Sequence, residues 1–464
     1  GVGRHAQHGT LQRGALRTLP GWRAITPITS APGELWPDRA LMRSLDGATI
    51  ALWAIPDGSG PLEMAWEREY GAAQTELVWW NADAAWMLTR PVAGVDVNRR
   101  VGGWSLERLS LETGDVVWRI GTFESFFGGI PATGLPDASG GAATLRSSIE
   151  GSVPLGDVLV TGDGRTLAIV ERTGRVASVD LLTGRVLWAW RGPVRRVFDA
   201  VLENGRLALA GLVLPPGPRH AGGDGADPGP LLAVYDARTG EEAHRPAGID
   251  RDVGWLRGAD GALLVGLDDR VVSIDLVTGR ENFVSRDDRF GSSGAAWVAG
   301  QRLYSTTSGR WLAWMDIGSG QVSQRQIEAS GRINPIDSVR VHEVGERVVL
   351  ASASGALFLD ERGELDAVDA LGIVSGLTRS ALALTEDGRA LVLAAEMAFD
   401  PEVNGVRTFG LYALNAETGQ IELAERLDMP TAPVGVRVLN GRVLIDTRLG
   451  TVSAPFPLSD GGEP

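Results

Sequence analysis

Asp180-Leu181-Leu182-Thr183-Gly184-Arg185-Val186-Leu187-Trp188 is the stretch that decides the fold. Before it, Val176, Ser178 and Asp180 alternate with Ala177 and Val179; after the Thr-Gly pair comes the apolar run Val186-Leu187-Trp188. Two short β-type runs joined at Thr-Gly read as a hairpin, because glycine takes the positive φ that a bulged turn requires. Asp180, three residues before the threonine, is placed to accept hydrogen bonds from N–H groups of the turn. A tryptophan four positions after the glycine fits a ring wedged between neighbouring sheets.

The unit recurs along the chain, at Thr113-Gly114, Thr239-Gly240, Thr278-Gly279, Ser319-Gly320, Arg362-Gly363 and Thr418-Gly419, with a further turn at Pro56 to Gly60. From Gly240 to Gly363 the copies fall about 40 residues apart, the period of a four-stranded propeller blade. One more strand pair fits between consecutive hairpins, as in Val201-Leu202 and Leu207 to Leu209 around Asn204-Gly205. Four strands per period with no intervening amphipathic helix indicate an all-β protein of propeller type rather than a sandwich. The hairpin count predicts an eight-bladed β-propeller of four-stranded antiparallel blades. Seven is the alternative if the degenerate Arg362-Gly363 unit merges with a neighbour. The pair Val434 to Leu439 and Arg442 to Ile445 has no Thr-Gly hairpin after it, and the first hairpin, Ile50 to Trp66, has no clear strand pair before it. One blade built from both ends would close the ring and remove free sheet edges. The expected organisation is therefore a lead over 1–48, a single propeller over 49–458 and a disordered tail over 459–464.

The repeat strand–Asp–x–x–Thr-Gly–x–x–x–Trp resembles the PQQ-like (quinoprotein-type) propeller family. Asp180-Thr183-Gly184-Trp188 carries it in full, and Ser110-Thr113-Gly114-Trp118, Asp236-Thr239-Gly240-His244, Asp275-Thr278-Gly279-Phe283 and Asn415-Thr418-Gly419-Leu423 carry it in part. The resemblance implies the propeller fold, and its BamB-like, envelope-ectodomain branch implies a non-enzymatic protein. It also implies what an enzyme of the family would need. Quinoprotein dehydrogenases hold PQQ between a tryptophan floor and a disulfide of adjacent cysteines, with Ca²⁺ beside it, and this chain has no cysteine.

Composition narrows the function further. The net charge of −14 comes without a basic stripe, which argues against nucleic acid and anionic membrane as partners. Every Lys-or-Arg position is Arg, so Schiff-base and P-loop lysine chemistry are excluded. His220, His244 and His342 stand apart from any nucleophile-elbow pattern. Asp268-Asp269 and Asp287-Asp288 offer oxygens to Ca²⁺, but adjacent carboxylates in β loops are usually solvated, so neither PQQ nor Ca²⁺ is expected. The chain starts at Gly1, and an upstream signal or membrane anchor is expected to have been removed.

The long intervals between repeats carry the functional expectation. Pro91 to Gly103, Pro215 to Pro230 and Glu396 to Arg407 fall between second and third strands, and Phe123 to Gly151 falls between blades. All four belong to one face, and the opposite face is expected to keep short turns throughout. Loops on a rigid scaffold are where function concentrates. The candidate partner-binding residues are Phe123, Phe126, Phe127, Ile130, Arg219, His220, Asp224 and Phe399. The expected role is a non-catalytic, extracytoplasmic interaction scaffold or ligand-sensing ectodomain with protein partners at the bacterial cell envelope. A quinoprotein-like dehydrogenase or glycan-processing enzyme is the alternative.

Overall fold

The computed structural model describes residues 17–25, 36, 38–56, 61–71, 73–91, 105–120, 153–155, 158–191, 194–213, 229–247, 249, 253–290, 296–307, 311–326, 340–344, 347–352, 355–359, 365–368, 380–384, 390–396, 409–415, 421–427, 431 and 433–456. Among these the strands form nine antiparallel sheets, eight of four strands and one of five. The first sheet runs Trp22–Ala24, Arg39–Ser44, Thr49–Ala54, Glu63–Glu69 and the second Ala73–Trp80, Ala84–Pro91, Ser105–Ser110, Val116–Ile120. The third adds the short Val153–Leu155 to Val158–Gly162, Thr166–Glu171, Arg175–Asp180 and Val186–Arg191. The fourth is Val194–Glu203, Arg206–Val213, Gly229–Asp236, Glu242–His244 and the fifth Trp255–Ala259, Ala262–Gly266, Val271–Asp275, Glu281–Ser285. The sixth to eighth sheets span 296–326, 340–368 and 380–427 in the same up-and-down order. The ninth takes Pro433–Leu439, Arg442–Thr447 and Gly450–Pro455 from the C-terminal region and Arg17–Pro20 from the N-terminal one.

Nine sheets, not eight, follow from eight Thr-Gly-type hairpins because the ninth sheet has none. Its outermost strand, Arg17–Pro20, arrives from the other end of the chain and pairs with Gly450–Pro455. The two ends do share a sheet, but through different strands from those expected. The Thr49–Ala54 and Glu63–Glu69 hairpin sits in its own sheet behind Trp22–Ala24 and Arg39–Ser44. Residues 17–44, expected to be a lead, thus supply three strands.

The core is distributed between sheets. Each described apolar cluster joins two successive sheets: Leu41, Ile50 and Leu52 to Leu77 and Met87; Leu88 and Leu106 to Val160 and Ile169; Val170 and Val176 to Leu207 and Leu209. Ala208 and Ala210, on the opposite face of that same fourth-sheet strand, pack on Leu263 and Val265 of the fifth. The ninth sheet packs on the first through Leu439 and Leu444 against Ala40 and Met42. Inner strands buried on both faces read as continuous apolar runs, whereas outer strands such as Glu281–Ser285 alternate exposed and half-buried residues. The first two strands of several sheets are joined by two-residue turns with positive φ at both positions, Asn204-Gly205, Asp260-Gly261 and Asn440-Gly441, the geometry that matches strand twist.

Candidate functional site

In the four-stranded sheets, strand direction assigns each connection to one of two edges. Connections from first to second and from third to fourth strands lie on one edge, here the turn face. Those from second to third strands and from sheet to sheet lie on the other.

The turn face is occupied by structural contacts. Asp180 Oδ1 accepts from the Thr183 N–H and hydroxyl, both at 2.8 Å. Burial pushes its pKa up, but hydrogen bonds from Thr183 and Leu182 outweigh burial and leave it lowered. The Thr278 N–H and hydroxyl lower Asp275, and the Ser319 hydroxyl and N–H lower Asp316 in the same way. The repeat ring of one sheet lies on the repeat glycine of the next. A Cβ on Gly184 would stand 2.4 Å from the Trp118 ring, and one on Gly240 2.7 Å from Trp188. The ring N–H then donates to the same turn: Trp66 to Leu111 O at 2.9 Å, Trp118 to Leu182 O at 3.2 Å, Trp188 to Ala237 O at 2.8 Å. Nearer the inner strands, Asp163 accepts from the Gly205 N–H and Glu203 from the Gly261 N–H, both at 2.9 Å. Burial, with Asp260 nearby, pushes the Glu203 carboxyl up. Each turn is thereby tied to its neighbour.

One expectation about this face is corrected. Its turns are not short throughout, because residues 25–38 connect the first and second strands of the first sheet there. Ile25 and Trp36 from that connection are buried against Leu77 and Leu111, and Trp36 Nε1 donates to Asn81 O at 2.6 Å. Ile25 and Trp36 thus pack over the first seam.

The opposite edge carries the connections 92–104, 214–228 and 397–408; 121–152 leaves it after Ile120 and re-enters at Val153 on the turn edge, because the extra strand Val153–Leu155 runs antiparallel to Val158–Gly162. The expected site residues Phe123, Phe126, Phe127, Ile130, Arg219, His220, Asp224 and Phe399 all fall in them and lie outside the described residues. The described residues include a cleft of about 550 Å³ on the outer half of the fifth sheet, beside the connection from the fourth, lined by Ala247, Ile249, Arg270, Val272, Glu281, Val284 and Arg286. Its origin is local. The outer strand of the fourth sheet stops at His244 after three residues. Pro246 has no N–H with which to continue the ladder. His244 stands where the full motif has tryptophan. Its Nε2 lies 2.9 Å from Leu276 O and its ring on Gly279, so Nδ1 is left buried without a partner. Residues 245–247 do not continue the strand, and Val284 is 39% exposed beside the buried Val272.

Arg270 and Arg286 close the insertion-side end of the cleft, in the connection before Val271–Asp275 and just after Glu281–Ser285. Glu281 marks the other end. Arg270 lies 3.9 Å from Asp269. The acidic pairs considered for Ca²⁺ are otherwise engaged in part: Asp287 accepts from Arg289 Nε at 2.7 Å. The sequence signals that could have marked the cleft were the His244 departure and Pro246. The arginines gave none, because nothing in spacing alone brings positions 270 and 286 together.

Fold and seams define an all-β protein of successive propeller-type sheets. No family model matches the chain, and no curated protein matches its sequence. Among solved structures it is similar to the computationally designed Ika8 protein (14% identity, 82% of this chain and 94% of that one, TM-score 0.45). It is also similar to BamB from Moraxella catarrhalis (13% identity, 94% and 98%, TM-score 0.40) and to the C-terminal WD40 domain of Sif2 (10% identity, 95% and 98%, TM-score 0.44). These are likenesses of fold and assign no residue a role.

Proposed function

We propose that this chain is a non-catalytic interaction scaffold, a propeller whose nine sheets form one ring completed by the shared N- and C-terminal sheet. It works outside the cytoplasmic membrane, at the bacterial cell envelope, through the face that carries its long connections. The observation that supports this reading is the asymmetry of the two edges. On the turn face, rings, carboxylates and carbonyls are consumed in tying sheet to sheet. Long connections leave the other edge, where ties between sheets such as Arg257 Nε to Ala296 O also occur but the repeated ring-on-glycine seam does not. A rigid ring with variable loops on one rim is the arrangement in which loops recognise partners.

The test replaces Phe123 to Gly151 with a short Gly-Ser linker in the full chain and compares crosslinked partners from envelope extracts. The expected result is loss of a partner that the parent chain captures reproducibly, with an unchanged melting temperature. Identical partners for both proteins, or crosslinks mapping to the Thr183-Gly184 rim, would overturn it.

A further inference from the structure

The cleft on the outer half of the fifth sheet has a chemistry of its own, independent of the long connections. Its apolar lining comes from Ala247, Ile249, Val272 and Val284, beside a similar share of polar surface. One end carries two guanidinium groups, Arg270 and Arg286, and the other a single carboxylate, Glu281. Glu281 and Arg286 flank the strand Glu281–Ser285. At roughly 3.3 Å per residue their backbones stand about 16 Å apart. A volume of about 550 Å³ is that of a small-molecule site.

We propose that this cleft binds an amphipathic monocarboxylate, an unbranched aliphatic chain with one carboxylate. Guanidinium groups pair with carboxylates through charge-assisted, often bidentate hydrogen bonds, which sets the head at Arg270 and Arg286. The tail then covers Val272 and Val284, beside the point where the outer strand ends at His244. Inorganic anions leave that apolar lining wet, and aliphatic amines meet two like charges at the arginine end. Glu281 faces the tail end and rejects a second carboxylate there, so the site selects monocarboxylates over dicarboxylates of equal length.

The experiment titrates the full chain with hexanoate, octanoate, decanoate and octanedioate by calorimetry. Affinity is expected to rise about fourfold per added methylene until the apolar lining is covered, the ratio that burying one methylene supplies. Octanedioate is expected to bind at least tenfold more weakly than octanoate. The R270Q/R286Q double substitution, at exposed or half-buried rim positions, should weaken decanoate at least tenfold while leaving the melting temperature in place. E281Q should bring octanedioate towards octanoate. The absence of saturable decanoate binding, equal affinity in R270Q/R286Q, or octanedioate binding as tightly as octanoate would each overturn the proposal. Partner capture through residues 123–151 is read in a separate assay, so either idea can fail without the other.

Discussion

The seam between the third and fourth sheets and the seam between the fourth and fifth start from the same motif and end differently. At the first, the Trp188 ring lies on Gly240, donates to Ala237 O at 2.8 Å and stacks on Trp190 at 5.6 Å between centroids. Trp190 in turn meets the Tyr235 ring at 5.0 Å, and burial pushes the Tyr235 hydroxyl up to about 12. At the second, His244 keeps the glycine contact and the carbonyl partner at 2.9 Å, but the strand stops and a cleft remains. The hydrogen bond and the glycine therefore fix where the sheets dock. Aromatic area on an outer strand of full length decides whether the outer seam is sealed.

The glycine is where this comparison breaks most severely. Gly184 and Gly205 share a φ of +71°, but a Cβ at Gly184 meets the Trp118 ring at 2.4 Å and one at Gly205 meets nothing within 4 Å. Gly205→Ala carries only backbone strain, about 1 kcal/mol. Gly184→Ala adds displacement of a packed ring and is expected to cost roughly 3 kcal/mol or more. Urea unfolding of both variants separates strain from docking. Equal losses would show that the ring-on-glycine contact contributes nothing.

The rings come next. Trp188→Ala should cost about 3 kcal/mol, the lower end for deleting a large aromatic, since Trp188 is half-buried. His244→Ala should cost about 1 kcal/mol, close to one hydrogen bond. A His244→Ala loss as large as that of Trp188→Ala would mean that the fourth–fifth seam is sealed by something other than area.

The sheet architecture was legible because period-2 alternation and the Thr-Gly turn are local, and each copy repeated the same evidence. The hairpin at Asp180 to Trp188, the turns at Asn204-Gly205 and the ring-between-sheets role of Trp188 all stand as read. The count failed at one place for a physical reason. Counting third-to-fourth-strand hairpins undercounts by one when the last fourth strand comes from the opposite terminus. Strands Trp22–Ala24 and Arg39–Ser44 were missed because the long interval between them in sequence does not read as a hairpin. The cleft was not read from the sequence: His244 counted only as a partial match to the repeat, Pro246 went unused, and Arg270 and Arg286 come together only through the sheet's register.

Restoring the motif at the weak seam sharpens the same comparison from the other side. Gly279 already leaves room for a ring, and the Leu276 carbonyl already waits for a ring N–H. His244→Trp should keep that bond, remove the orphaned Nδ1 and add apolar burial, a gain of about 1 kcal/mol. The measurement is the denaturation midpoint at unchanged slope. A loss in stability would show that the seam is built around imidazole and is not a decayed tryptophan site.

The smallest effects are those of pH, and the two kinds of carboxylate on the turn face oppose each other. Asp180, Asp275 and Asp316 have lowered pKa values in the fold. Their stabilisation is complete above the unfolded carboxylate range, near 4, and is lost as pH falls through the folded values, because the unfolded chain then binds more protons. Glu203 is raised by burial, so the folded state holds its proton longer. Its contribution is fullest below the unfolded value and declines as pH rises through the folded one. Thermal melts between pH 3 and pH 7 should therefore move in opposite senses for two isosteric variants. Asp180→Asn, whose amide oxygen still accepts from Thr183, should flatten the acid limb and lie below the parent at neutral pH. Glu203→Gln should keep the Gly261 contact, steepen the acid limb, since the offsetting term is gone, and raise the neutral-pH melting temperature. If Glu203→Gln lowered it instead, the charge on Glu203 would be holding the Asp260-Gly261 turn in place, and the turn-to-turn ties would be ionic in origin rather than ties of neutral hydrogen bonding and fit.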